Sequence, residues 1–182
     1  MWKKIAVVAT SIALVLGSAA CARVDDGKPN ASGTMTLSDA DFTFLMMMLP
    51  HHEQAIQMSE LALTNTDSTE VLLTAKSIKK LQNVEIQKMK SWLTEAGKTT
   101  SSHMTMSGML TDQQMLDLRS ARGKEFDMQY LSGMIGHHRG AIEMAQYEMD
   151  HGSNPKVQAM AAAIVVSQTA EVLAMEAMRK RL

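Results

Sequence analysis

Apolar residues recur every three or four positions along most of this chain, a spacing that places them on one face of a helix. Four long segments carry the pattern, and each begins or ends at residues typical of helix caps. The predicted long helices run from Ser38 to about Leu63, from Thr69 to Ala96, from Gly123 to about Asp150, and from Pro155 to the C-terminus. Thr111, with Gln114 three residues later, predicts a short additional helix before Gly123.

The second half of the chain repeats the first at a fixed offset of 86 residues. The stretch LMMMLPHHEQAIQMSE at 45–60 aligns with LSGMIGHHRGAIEMAQ at 131–146. The aligned pairs include His51 with His137, His52 with His138, Gln82 with Gln168, and Glu85 with Glu171. We therefore predict an all-α fold, an antiparallel four-helix bundle built from a duplicated helical hairpin. The predicted domain at 38–182 comprises repeat 1 at 38–97, a Met/His-rich linker at 98–110 and repeat 2 at 111–182.

Each predicted buried stripe is apolar at its ends and polar in its middle. The polar positions are His51 and His137 on the first and third long helices, and Gln82, Glu85, Gln168 and Glu171 on the second and fourth. Polar groups at this depth are costly unless each is paired. One interpretation is a hydrogen-bond network that fixes helix register. The interpretation that we favour is a metal site whose imidazoles are oriented by the Gln and Glu side chains.

Methionine indicates which metal such a site would bind, since the chain contains 18 methionines. Thioether sulfur is soft and selects Cu(I), whereas imidazole binds Cu(I) and Cu(II) alike. We therefore predict copper, with Cu(I) preferred and Ag(I) as its mimic. The candidate ligands are Met48, His51, His52, Met58, Met134, His137, His138 and Met144. Met58 lies roughly 10 Å along the helix axis from His51, so another site or the core is its alternative place. Orienting or additional ligands are Met47, Gln82, Glu85, Gln168 and Glu171.

Two further groups of Met and His are candidates for peripheral metal binding. The linker contains His103, Met104, Met106 and Met109, which form either a flexible Cu(I)-recruiting run or ordinary loop composition. Met149 and His151 lie at the end of the third long helix. Glu148 and His151 also match the Glu-x-x-His pattern of di-iron bundles, but the pattern has no partner 86 residues earlier, so we interpret it as coincidence.

The N-terminus has the pattern of an export signal at residues 1–20. Lys3 and Lys4 precede an apolar run and a small-residue segment. Cys21, the single cysteine, follows directly, which favours lipid attachment and a periplasmic or outer-envelope lipoprotein over simple secretion. Residues 21–37 are polar and predict a flexible tether. No later stretch is expected to span a bilayer, so the N-terminal lipid is the only membrane contact that we expect.

Charge argues against nucleic-acid binding, because 18 basic residues stand against 19 acidic ones without a basic run. The sequence also contains no catalytic constellation that we recognise, so we do not expect an enzyme.

The two M-x-x-H-H-x-x-A-I-x-M segments, at 48–58 and 134–144, resemble the bacterial family called domain of unknown function 305. The resemblance extends from Asp39 to about Met178 and includes the Gln-x-x-Glu pattern at Gln82 and Gln168. It implies a ferritin-like four-helix bundle, export and, in some members, copper binding linked to copper resistance. It does not imply an enzymatic activity.

We therefore expect an exported copper-binding protein that sequesters Cu(I) or Cu(II), or passes it to another copper-handling protein. One alternative is a ferritin-like di-metal oxidase, although such sites use more carboxylates than Glu85 and Glu171 provide. Another is a metal-free interaction module with a Met-rich surface. The sequence leaves the oligomeric state open.

Overall fold

The fold is known from a computed structural model that describes residues 35–99 and 106–182, and the regular structure of these residues is helical. The predicted all-α class is thereby confirmed. The predicted export signal, Cys21 and most of the predicted tether lie outside the described residues, as do His103 and Met104. The helices are α1 (Asp39–Asn65), α2 (Thr69–Glu95), α3 (Asp112–Ser120), α4 (Gly123–His151) and α5 (Pro155–Arg179).

Capping explains where the helices begin and end. Ser38 Oγ accepts from the Asp41 amide at 3.2 Å, and the Asp41 carboxylate accepts from the Ser38 amide at 2.6 Å, so α1 begins with a capping box. Thr111 and Gln114 form the predicted second capping box at α3. Gly97, with φ of +64°, follows the end of α2. The predicted helix ends are confirmed to within a few residues because caps depend mainly on local sequence.

α1 continues through Pro50 as one element. Proline has no N–H, so the carbonyl of Met46 lacks its usual donor one turn later.

The four long helices form two hairpins. α1 packs along α2, α4 packs along α5, and the hairpins meet mainly through α1 and α4. α3 lies against both α1 and α4. Among the described residues, α2 makes few contacts with α4 or α5, and α1 makes few with α5.

Two buried aspartates hold the hairpins together. Asp41 on α1 accepts from the backbone amides of Ser153 and Asn154, at 3.1 and 3.0 Å, in the turn between α4 and α5. Asp127 on α4 accepts from the Thr66 hydroxyl in the turn between α1 and α2. Each hairpin turn is therefore fixed by a carboxylate of the other hairpin.

The core consists of two apolar clusters. One includes Met58, Ile78, Met134 and Met175, and the other includes Met48, Met89, Ala141 and Ile164. On every long helix the polar core positions lie between a residue of one cluster and a residue of the other. These positions form a polar layer, defined here as His51, His52, Gln82, Glu85, His137, His138, Gln168 and Glu171. Burying an apolar side chain contributes roughly 1.5–3 kcal/mol, so the clusters offset the cost of the layer.

We expected no helix after the predicted export signal to be long and apolar enough to cross a membrane. α5 is long and apolar enough by length and composition, with a mean hydropathy of 1.4. It also packs along α4 and buries Gln168 near its middle. Because a core helix satisfies the same criterion, its composition does not by itself place α5 in a membrane.

Candidate metal centre

His51 and His137 meet at the centre of the polar layer. Their ring centroids are 3.7 Å apart, with 41° between the ring planes, and both side chains are fully buried. Each lies on the core-facing stripe of its helix, since buried residues precede it by one turn and follow it by another. The core-facing stripes of α1 and α4 therefore meet at this pair.

His52 and His138 point toward the second helix of their own hairpin. His52 Nε2 lies 2.9 Å from Glu85 Oε2, and His138 Nε2 lies 2.7 Å from Glu171 Oε2. Both side chains face away from the central pair while remaining fully buried. Since a carboxylate can only accept, Nε2 carries the hydrogen, and Nδ1 of a neutral ring has a free lone pair.

Many polar atoms of this layer have no hydrogen-bond partner among the described residues. They are Nδ1 of His51, His52 and His138, both ring nitrogens of His137, both amide atoms of Gln82, and Oε1 of Gln168. Each unsatisfied buried group costs about 1–3 kcal/mol. A concentration of free imidazole nitrogens in one layer fits a metal site, because an ion would satisfy them.

Burial also keeps the central imidazoles neutral. It lowers the pKa of His51 to about 3, with a further contribution from nearby His52, although the Ser107 carbonyl acts in the opposite direction. Burial and the neighbouring His51 hold the pKa of His137 well below its usual value. Both rings are therefore in the form that binds metals.

The predicted methionine ligands lie at different places around the layer. Met48 and Met134 are fully buried one turn before the central histidines. Met58 is buried in an apolar cluster, which agrees with its alternative assignment to the core, and Met144 is half-buried against the other cluster. Met47 is half-buried on α1.

The metal ligands available around this layer are histidine nitrogen and methionine sulfur. Within 35–99 and 106–182, no three His, Cys, Asp or Glu side chains are grouped so that they could hold one ion. A site here therefore has to combine imidazole with other donors, and methionine sulfur is soft enough to favour Cu(I).

Sequence reasoning missed the role of residues 106–110, which it assigned to a linker. Met106 is buried, and the carbonyl of Ser107 lies 3.2 Å from His51 Nε2. A signal was present in the sequence, since Gly140 lies inside the helix two residues after the second histidine pair. A glycine in a helix allows another backbone to approach the helix closely.

The other peripheral candidates lie away from the layer. His151 is exposed at the end of α4, where its ring stacks on Tyr147 at 4.0 Å, and Met149 is also exposed. His151 is 14 residues beyond His137, or about 21 Å along the helix. A groove of about 510 Å³ between α3 and α4 contains none of the candidate ligands.

A family model and two solved structures that match this chain point to the same family. The model of the family described as "Domain of unknown function (DUF305)" matches residues 41–179. A DUF305 fragment from Deinococcus radiodurans is similar with a TM-score of 0.76 and 27% identity, covering 80% of this chain and 99% of that one. A DUF305 protein from Streptomyces coelicolor has a TM-score of 0.72 and 32% identity, covering 75% and 89%.

The protein CopM is similar as well. Its Cu(I)-bound form has a TM-score of 0.67 and 31% identity, covering 78% of this chain and 96% of CopM. Its Cu(II)-bound form has a TM-score of 0.67 and 32% identity, covering the same fractions of the two chains. Ag-bound forms of CopM are also similar. Uncharacterized protein L153 of Acanthamoeba polyphaga mimivirus is 39% identical over 46 residues, which span 25% of this chain and only 30% of that relative.

Proposed function

We propose that this chain, which belongs to the family described as domain of unknown function 305, binds copper ions as cargo in its polar layer. One observation carries the proposal. Four fully buried imidazoles, two of them with ring centroids 3.7 Å apart, leave five ring nitrogens without a partner among the described residues. CopM, which is similar over 78% of this chain, is known in Cu(I)-, Cu(II)- and Ag-bound forms, and this supports the choice of metal.

The proposed ligands are the imidazoles of the layer together with Met48 and Met134. Glu85 and Glu171 orient His52 and His138 by accepting from Nε2, which leaves Nδ1 available to the metal. Thioether sulfur makes Cu(I) and Ag(I) the preferred ions over Zn(II), which favours harder donors. Met47, Met58 and Met144 are candidates for additional ligands outside this central set.

The proposed role is to sequester copper or to pass it to another copper-handling protein outside the cytoplasm. The export signal predicted at 1–20 and the lipid attachment predicted at Cys21 agree with this proposed location. The proposed architecture is an antiparallel, ferritin-like four-helix bundle, with the polar layer across its middle.

A copper titration tests the proposal. The full chain, purified without added metal, is titrated with Cu(I) against a chelator of known affinity, while circular dichroism follows helicity. The variant lacking the four histidines of the layer and both methionines should lose Cu(I) binding. Unchanged binding by that variant in a folded state would refute the site.

A structural polar network is the competing interpretation, and the paired His–Glu hydrogen bonds favour it. That network would explain His52 and His138, which have carboxylate partners. It leaves His137 unexplained, because neither of its ring nitrogens has a partner among the described residues. Protein that retains no Cu(I) in the titration would favour this competing interpretation.

A further inference from the structure

Residues 106–110, called the strap below, touch the backbone of α4 beside the histidines. A Cβ atom at Gly140 would lie 1.9 Å from the Ser107 carbonyl oxygen, and one at Gly108 would lie 2.4 Å from the Gly136 carbonyl oxygen. Real Cβ atoms essentially never approach within 3.0 Å, so this contact requires glycine at both positions. Gly108 also has a φ of +82°, which favours glycine on its own account.

Polar contacts fix the strap to both central helices. The Gln54 side chain on α1 donates to the Leu110 carbonyl at 2.9 Å and accepts from the Leu110 amide at 2.8 Å. On the other side, the Ser107 hydroxyl donates to Glu143 Oε2 on α4 at 3.0 Å. Met106 is only 5% exposed. The strap is thus held at each end and does not behave as a free linker.

The strap makes the two central histidines different. Gln54 and Gly140 are equivalent positions at the 86-residue offset. Gln54 binds the strap through its side chain, whereas Gly140 admits the strap because it has no side chain. The Ser107 carbonyl lies 3.2 Å from His51 Nε2, whereas His137 Nε2 has no partner among the described residues. A carbonyl oxygen can only accept, so Nε2 of His51 carries the hydrogen and Nδ1 has the free lone pair.

We propose that the strap is a positioning element of the copper site, in which the Ser107 carbonyl holds His51 in the tautomer that binds metal through Nδ1. Gly140 permits this arrangement by admitting the strap. The inference rests on the proposed function, and it adds that His51 and His137 bind copper inequivalently. His51 binds through Nδ1 alone, whereas His137 has either nitrogen available.

Two glycine substitutions on α4 test the inference with a matched control. Gly140→Ala inserts a methyl group into the strap, whereas Gly136→Ala meets nothing within 4 Å. Both changes replace an interior helical glycine and share the same gain in helix propensity. Long-range ¹H–¹⁵N NMR on the metal-free full chain reports which His51 nitrogen carries the hydrogen, and competition against a chelator reports Cu(I) affinity.

We expect the Nε2–H tautomer at His51 in the unsubstituted chain and in Gly136→Ala. In Gly140→Ala the tautomer should become mixed, and Cu(I) affinity should fall by about 10- to 100-fold, as when an outer partner of a ligand is lost. An unchanged His51 tautomer in Gly140→Ala, or equal Cu(I) affinity in the two glycine variants, overturns the inference.

A second variant tests the inference if Gly140→Ala does not fold. If Gly140→Ala loses its helicity, Gln54→Leu releases the Leu110 anchor without adding an atom to α4, and the same tautomer shift is expected. Failure of the unsubstituted chain to bind Cu(I) overturns the proposed function and with it the copper role of the strap. The metal-free tautomer still decides separately whether Ser107 orients His51.

Discussion

At the scale of single residues, His137 shows most clearly that the polar layer is not optimised for stability. Its ring is fully buried, and neither nitrogen has a hydrogen-bond partner among the described residues. We expect His137→Leu to raise the free energy of unfolding of the metal-free protein by about 1–3 kcal/mol, because an unsatisfied polar group is removed. Urea denaturation measures this, and Cu(I) affinity should fall in the same variant.

His51→Leu is the matched control. It should gain less stability, because it also leaves the Ser107 carbonyl without its partner. If His137→Leu destabilised the metal-free protein instead, the ring would be retained for packing, and its assignment as a ligand would lose support.

The methionines next to the central histidines give a second prediction at this scale. Met48→Leu with Met134→Leu should preserve the fold, since Leu for Met is a volume-conserving exchange. The double variant should lose far more affinity for Cu(I) than for Cu(II), because only the soft thioether ligand is removed. Chelator competition with each oxidation state measures the two losses.

The chain offers a matched pair of methionines as control. Met89 and Met175 are also fully buried and are also related by the 86-residue offset. Their exchange for Leu should leave both copper affinities unchanged. Equal losses of Cu(I) binding in the two double variants would mean that the effect arises from packing and not from sulfur ligation.

At the scale of elements, the contact between the two hairpins decides how many sites the repeat builds. His51 on α1 and His137 on α4 are close enough to share an ion, so we expect one shared site or closely spaced sites. Replacing His51 and His52 by Ala should then remove nearly all the bound copper, and so should replacing His137 and His138. Metal content after desalting, with circular dichroism for folding, provides the measurement.

Two independent sites predict a different result, in which each double variant retains about half of the metal. His151→Ala serves as the control, because that exposed ring lies at the far end of α4. It should retain the full copper content.

At the scale of the whole molecule, a buried carboxyl pair links the hairpins and makes stability depend on pH. Burial raises the pKa of Glu148 to about 8, and the neighbouring Asp41 carboxyl adds to this. Burial alone would raise the pKa of Asp41, but hydrogen bonds from Ser38 and Asn154 lower it to about 2. The folded protein therefore holds a proton on Glu148 at pH values where the unfolded chain has lost it.

The direction of the effect follows from proton linkage. Between the unfolded pKa of 4.5 and the folded pKa of about 8, the folded state binds more protons, so stability falls as pH rises. We expect the free energy of unfolding of the metal-free protein to decrease from pH 7.5 to pH 8.5. This range begins about one pH unit above the unfolded pKa of histidine, 6.5, so the histidines contribute little to the change. Glu148→Gln should remove the decrease, whereas the exposed Glu95→Gln should retain it, as measured by urea denaturation at each pH.

Local sequence was sufficient to predict the helix ends and the buried faces of the long helices. The helix start at Ser38, the capping box at Thr111, the end of the second long helix near Ala96 and the core stripes through His51 and His137 were predicted correctly. Helix caps and helical periodicity involve residues only three or four positions apart, so they are readable without knowledge of the fold. The burial of the polar positions followed from the same periodicity.

Only the tertiary structure decided which groups meet inside the layer. Glu85 pairs with His52 and not with its neighbour His51, and Ser107 reaches His51 across 56 residues of sequence. The docking of the strap depends on the distance between the backbones of two segments that the sequence pattern treats as unrelated. The sequence by itself therefore determined where helices form and which positions are buried, because these depend on near neighbours. The partner of each buried imidazole was decided by the packing of the two hairpins and the strap, because hydrogen bonds require distances that only the assembled fold sets.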